Sequence, residues 1–319
     1  MSGLRIVLAG GAGHLGALLA PHFHDHGHSV AILSRSQRRL PWPVILWDGE
    51  HLENWVSQLE GADVVINLAG RSVNCRYRTA TRASIMESRV RSTRVLGEAI
   101  GQLTNPPRLW MNSSTATIYR HSLDRPMDED TGEFGGHEPG VPASWRFSIE
   151  VASNWEEAFF SAKTPRTRKI ALRSAVVMGL ESGGAFDILL RLVRFGLGGA
   201  VGSGRQFVSW IHELDFARAI DFLIMHQDLS GPMNLAAPNP LPNLEFMRKL
   251  RRAYGAPLGL PAPAWLVEIG TFLLKTESEL VMKSRQVVPG NLIRSGFRFA
   301  FPEWEAAARN LVTRWRGKV

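Results

Sequence analysis

The sequence is poor in several things, and each shortage closes a possibility. A single cysteine, Cys75, excludes an intrachain disulfide framework and a zinc site built on several thiolates. No apolar run approaches the ~20 uncharged residues that a membrane-spanning helix needs. The opening "MSGLRIVLAGG" enters a strand directly, without the charged-then-apolar layout of a secretory leader, so the expectation is a cytoplasmic protein with no membrane partner. The basic residues form no run interleaved with aromatics and the terminal "RWRGKV" is short, so nucleic acid is not an expected partner. Tyrosine is scarce too: the chain holds Tyr77, Tyr119 and Tyr254 and no others.

What is present points to a soluble α/β protein with an anionic ligand. Of 319 residues, 45% are hydrophobic, enough for a large core. The net charge of +8 comes mostly from arginine, whose planar fork grips phosphate or carboxylate. The expected partners are a small, anionic molecule and, as an open alternative to a monomer, a second copy of the chain. Apolar segments alternate with helical ones: "LRIVLAG", a helix from His14, "SVAILSR", "VILW", "ADVVINLAG", a helix through 80–101, then "RLWMNSS". That order predicts a doubly wound parallel sheet, and strands apolar without alternation are those covered on both faces. Residues 117–143 turn to Asp, Gly, Pro and Glu and read as a long surface loop. The pattern changes after Gly179. The expected division is a nucleotide-binding domain over 1–178, with 212–235 returning to it, and a smaller substrate lobe from 179–211 and 236–319.

The strongest local signal is "GGAGHLG", directly after the first strand and opening a helix. Gly10, Gly13 and Gly16 permit a tight turn, a close backbone approach to a pyrophosphate and close packing of helix on strand, with His14 and Leu15 between them at the helix N-terminus. The second strand ends in Ser34 and Arg35, with Arg38 and Arg39 following. A site for NAD places a carboxylate there, whereas arginine suits a 2′-phosphate, so the expected cofactor is NADP(H). Asp48, after "VILW", stands where an adenine amine would be contacted, and an acidic turn residue before Gly49 explains it nearly as well.

"GGAGHLG", "NLAG" (Asn67, Leu68, Ala69, Gly70) and "SSTATIY" (113–119) resemble the motifs of extended short-chain dehydrogenases/reductases. "GLGGAVGSGRQFVSWIH", "GPMNLAAPNP" and "RQVVPGNLIRSGFRF" resemble the epimerase-like subfamily that ends in a small C-terminal domain of unknown function. The resemblance covers essentially the whole chain. It implies a Rossmann fold with Leu68, Ala69 and Gly70 at the dinucleotide. It also implies a helix after the long loop carrying Tyr-x-x-x-Lys, the pair that exchanges a proton with the substrate as hydride moves.

That helix is "FSIEVASNWEEAF", and the pair is missing. With Glu156 aligned to the helix's later glutamate, Ser148 takes the tyrosine position and Ala152 the lysine position. Four residues after each tyrosine stand Thr81, Leu123 and Leu258, so the dyad has not moved along the chain. Thr115 matches the catalytic Ser/Thr position and is expected to orient a substrate oxygen. Tyr119 is the spare phenol if exposed and a packed aromatic otherwise. Arg173 either meets a phosphate or ties down a loop. Arg205, Gln206, Trp210 and His212 fall where extended members hold substrate. The histidines of "HFHDHGH" resemble a metal tract, but on a helix only His22 and His26 share a face, and no third ligand is in sight, so no metal is expected. Trp155 and Phe159 face the core at helical spacing. Two functions fit: an NADP(H)-dependent oxidoreductase or epimerase/dehydratase-like enzyme on a small anionic or sugar-nucleotide-like substrate, or a catalytically silent NADP(H)-binding sensor.

Overall fold

The computed structural model describes residues 3–73, 75–263 and 279–318. Seven strands form one sheet: β1 (Arg5–Ala9), β2 (Ser29–Ser34), β3 (Val44–Leu46), β4 (Val64–Asn67), β5 (Leu109–Thr115), β6 (Arg168–Ser174) and β10 (Gly231–Leu235). Their spatial order is β3-β2-β1-β4-β5-β6-β10 and every pairing is parallel. This is the doubly wound α/β order, in which β1 and β4 part the chain to opposite sides and leave a crevice at their carboxyl ends.

Successive side chains of a strand point to opposite faces, and β1 shows both being used. Ile6 and Leu8 join a cluster with Leu19, Phe23, Phe216 and Ile220, from α1 (His14–Asp25) and α5 (Glu213–Met225). Val7 and Ala9 join a second cluster with Val95, Leu96 and Phe159, from α2 (Thr79–Gln102) and α3 (Arg146–Phe160). Trp155 and Phe159 are buried on the inner side of α3.

Between β6 and β10 the chain leaves the sheet and comes back. It forms β7 (Val176–Met178), α4 (Ala185–Arg194), β8 (Phe207–Val208) and β9 (Trp210–His212), then returns for α5 and β10. It leaves again for β11 (Leu241–Pro242) and α6 (Asn243–Tyr254). The lobe has its own core, where Phe186, Leu190, Phe246 and Leu250 meet Trp304 and Leu311 of the C-terminal helix Trp304–Arg316. Trp304 stacks on Phe246 with ring centres 4.1 Å apart, and its indole donates to the Phe246 carbonyl. The long loop before α3 is pinned at both ends of its course. Tyr119 bridges Phe134, Met127 bridges Val287, and Arg120 pairs with both Asp124 and Glu133.

Candidate cofactor and proton-transfer site

The glycine turn is shaped by three different constraints. Gly10 has φ of +73°, and a Cβ there would stand 2.7 Å from the Ala69 backbone, so the turn closes onto the segment after β4 only without a side chain. A Cβ on Gly16 would lie 1.9 Å from the Gly11 carbonyl oxygen, so helix and turn touch backbone to backbone. Gly13 differs: its added Cβ would meet only the Gly10 carbonyl, at 3.6 Å. The space beside Gly13 is open to a ligand. Gly13 caps α1 with no side-chain hydrogen bond, and no acidic residue stands in the first turn, so the helix presents amide groups and positive dipole to that space. His14 pairs with Glu181 at 2.8 Å, tying the lip of the turn to the lobe.

The remaining cofactor candidates line up along the same edge. Gly10 donates to the Leu33 carbonyl, which brings the end of β2 beside the turn. Ser34 is buried there and its hydroxyl donates to the Ser36 carbonyl. Arg35, Arg38 and Arg39 are exposed and have no ion-pair partner among the described residues. Ala69 donates its amide to the Asn67 side chain, Leu68 donates to the Ala9 carbonyl, and Gly70 lies against the Arg89 guanidinium. Asp48 closes a turn: its carboxylate accepts from the Glu50 and His51 amides and from the His51 ring. Slight burial opposes its charge, yet these bonds lower its pKa to about 2.

At the carboxyl end of β5 the structure explains how the missing dyad has been filled in. Thr115 is half-buried and its hydroxyl accepts from the Thr117 amide. Ser148 donates to the Glu279 carboxylate at 2.6 Å. Glu279 belongs to the short helix Glu279–Met282, 131 residues further on, so a later segment occupies the space ahead of Ser148. Tyr77 sits edge-on to Phe147 with ring centres 5.2 Å apart. Burial and the Glu279 charge raise its pKa to about 12, against a hydrogen bond with Ser148 that lowers it. Ala152 is fully enclosed among Ala116, Ile118, Tyr119, Met127 and Val287.

Lys283 completes this corner. Its ammonium donates to the Thr117 carbonyl at 2.9 Å and lies 3.9 Å from Glu279. Burial, with the Arg285 charge nearby, pushes its pKa down to about 8. It borders a cavity of about 180 Å³ lined also by Glu138, Trp145, Arg146 and Ile149.

Five residues singled out from sequence as site candidates have interior tasks. Arg173 is buried and holds Glu156 through two hydrogen bonds, 2.8 and 2.7 Å, with a third to the Tyr119 hydroxyl. Tyr119 is 1% exposed and donates to Asn234, so it is the packed aromatic rather than the spare phenol. Trp210 is fully enclosed against Trp304. His212 is 1% exposed, stacks on Phe301 and accepts the Leu214 amide at the start of α5. Gln206 is also buried and donates to the Val201 and Val281 carbonyls, lacing the glycine turn of the lobe to the Glu279–Met282 helix. Arg205 alone of this group is exposed.

The profile of the NAD dependent epimerase/dehydratase family matches residues 6–236, and that of a domain of unknown function, DUF1731, matches 262–311. The chain belongs to the NAD dependent epimerase/dehydratase family. The epimerase family protein SDR39U1 of Mus musculus is 31% identical over 97% of this chain and 100% of its own length. The epimerase family protein YfhF of Bacillus subtilis is likewise 31% identical, over 97% and 98%. The crystal structure of human SDR39U1 (isoform 2) with NADPH superposes with a TM-score of 0.84 at 28% identity, covering 97% of this chain and 99% of that one. Within this epimerase-family chain, Tyr77, Glu279 and Lys283 are the residues beside Ser148 and Thr117 that sequence reading left out of the candidate site. A signal existed for one of them: with three tyrosines in the chain and two dyad positions vacant, Tyr77 could have been sought from outside the helix rather than along it.

Proposed function

We propose that the protein binds NADP(H) and acts as an epimerase/dehydratase-like oxidoreductase on a small anionic substrate, with proton handling moved off the usual helix positions. The observation that carries this reading is the open space at Gly13, framed by an uncapped helix start and followed by the exposed Arg35. When bound, the dinucleotide supplies hydride donation or acceptance at its nicotinamide ring. Gly13 and the α1 amides would hold its diphosphate, and Arg35 its 2′-phosphate. The crystallised human relative, with NADPH, supports the choice of cofactor.

On the substrate side, Thr115 orients an oxygen and Arg205 offers a charge to an anionic group. A phenol held near pKa 12 stays protonated at neutral pH, so Tyr77 serves as a donor rather than a base. The enclosure of Ala152 favours a second reading, in which the protein holds NADP(H) without turning substrate over.

NADPH absorbance followed across a panel of carbonyl compounds and nucleotide sugars separates the two. The enzyme reading expects slow turnover that drops by at least about tenfold in Tyr77→Phe, with NADPH affinity retained. Turnover lost in Tyr119→Phe but kept in Tyr77→Phe would overturn the assignment of the donor. Tight NADPH binding with no turnover on any substrate would favour the silent reading.

A further inference from the structure

The histidine tract on α1 acquires in three dimensions what it lacks in sequence. His22 and His26 lie one turn apart with ring centres 4.4 Å from each other. Asp221, 199 residues later on α5, places its carboxylate 2.5 Å from His22 Nε2. One ligand atom from each of the three residues lies within 4.8 Å of the other two. His26 Nδ1 is 2.7 Å from the His22 carbonyl oxygen, to which it can only donate. That bond fixes the tautomer and leaves Nε2 with its lone pair, as backbone carbonyls do for metal-bound imidazoles. The other two histidines stay out: His24 is not among the converging ligand atoms, and His28 accepts the Leu4 amide.

The location suits a cation. His22 and His26 stand at the C-terminal end of α1, and Asp221 stands in the last turns of α5, so the negative ends of two helix dipoles meet there. We infer that His22, His26 and Asp221 form a divalent-metal site of the zinc type, clasping α1 to α5. Tetrahedral ligands at ~2.0 Å from zinc stand roughly 3.3 Å apart. The present spacings reach that arrangement by small rotations of exposed or half-exposed side chains, and water takes the fourth position. The site lies eight residues along α1 from His14, about 12 Å down the helix axis. It is therefore separate from the glycine turn and independent of the proposed reaction.

Calorimetric titration of the metal-free protein with Zn²⁺ tests the inference, with Co²⁺ absorption reporting the geometry. One Zn²⁺ per chain is expected, with a tetrahedral Co²⁺ spectrum. His26→Ala and Asp221→Asn should each weaken binding by at least about tenfold, and His24→Ala should leave it unchanged. His26→Ala keeps the His22–Asp221 pair, so loss of zinc in that variant cannot come from loss of the pair. Absence of stoichiometric binding, or an affinity indifferent to Asp221→Asn, or equal weakening by His24→Ala, would reduce the cluster to a surface ion pair and overturn the site.

Discussion

The glycine turn and the corner ahead of Ser148 lie at the carboxyl ends of neighbouring parts of one sheet, and they are built on opposite plans. The turn is made of consecutive residues, Gly10 to Gly16, and its special feature is room: a Cβ added to Gly13 would meet only the Gly10 carbonyl within 4 Å. The corner gathers Tyr77, Ser148, Glu279 and Lys283 from across the chain and fills the volume with side chains bonded to one another and, through Lys283, to the Thr117 carbonyl. An open cradle made of consecutive residues and a filled corner made of distant ones can be altered independently by substitution. Four experiments press on that contrast.

The largest effect belongs to the buried ion pair that ties α3, the helix carrying Ser148, to β6. Arg173 and Glu156 are a buried pair, so Arg173→Met leaves an enclosed carboxylate with no cation and should cost about 3–5 kcal/mol in urea unfolding. Adding Glu156→Gln should recover part of it. A stable Arg173→Met that merely binds substrate poorly would return Arg173 to the ligand.

The open region should answer differently. Gly13→Val should cut NADPH affinity by at least about a hundredfold, roughly 2.7 kcal/mol, with the circular dichroism spectrum and Tm preserved, because the new side chain enters the ligand's space. Gly16→Val should lower the Tm instead, since its Cβ collides with the Gly11 carbonyl. Identical behaviour of the two variants would erase the distinction between cradle and packing. Arg35→Ala should reduce NADPH affinity about ten- to a hundredfold, the worth of one charge-assisted contact to phosphate, and leave NADH affinity alone. Equal losses for both dinucleotides would detach Arg35 from the 2′-phosphate.

The smallest effect is a slope. Lys283 releases its proton at about pH 8 when folded and near the ordinary lysine value, 10.5, when unfolded. Below pH 8 both states are protonated and burial of the ammonium opposes folding. Between those values the unfolded chain binds the extra proton, so stability rises with pH by roughly 1–3 kcal/mol. Lys283→Met should flatten that rise, and an unchanged slope would mean that another group produces it.

These contrasts also explain what could be read in advance. The parallel sheet was legible from apolar runs spaced by helices, because burial on both faces leaves a record in consecutive residues. The glycine turn was legible for the same reason. Trp210 and His212 were misread because residue type was taken for exposure: an indole and an imidazole suit a ligand, and they equally suit a core that supplies Trp304 edge-on to the one and Phe301 stacked on the other. Tyr77 was tested only against its own helix-spaced neighbour, Thr81, when its partner was Ser148 across a fold contact. Asp221 could not have been paired with His22 by any pattern along the chain, since β-strands, loops and a lobe separate them.

The enclosure of Ala152 bears on engineering. A lysine there would start from a fully enclosed position in a cluster that also holds Ala116, Ile118, Met127 and Val287, so placing Tyr at 148 and Lys at 152 meets packed apolar side chains rather than a vacancy. Placing the usual pair at 148 and 152 would therefore call for accompanying changes around position 152, where the side chain is enclosed, as well as the two substitutions themselves.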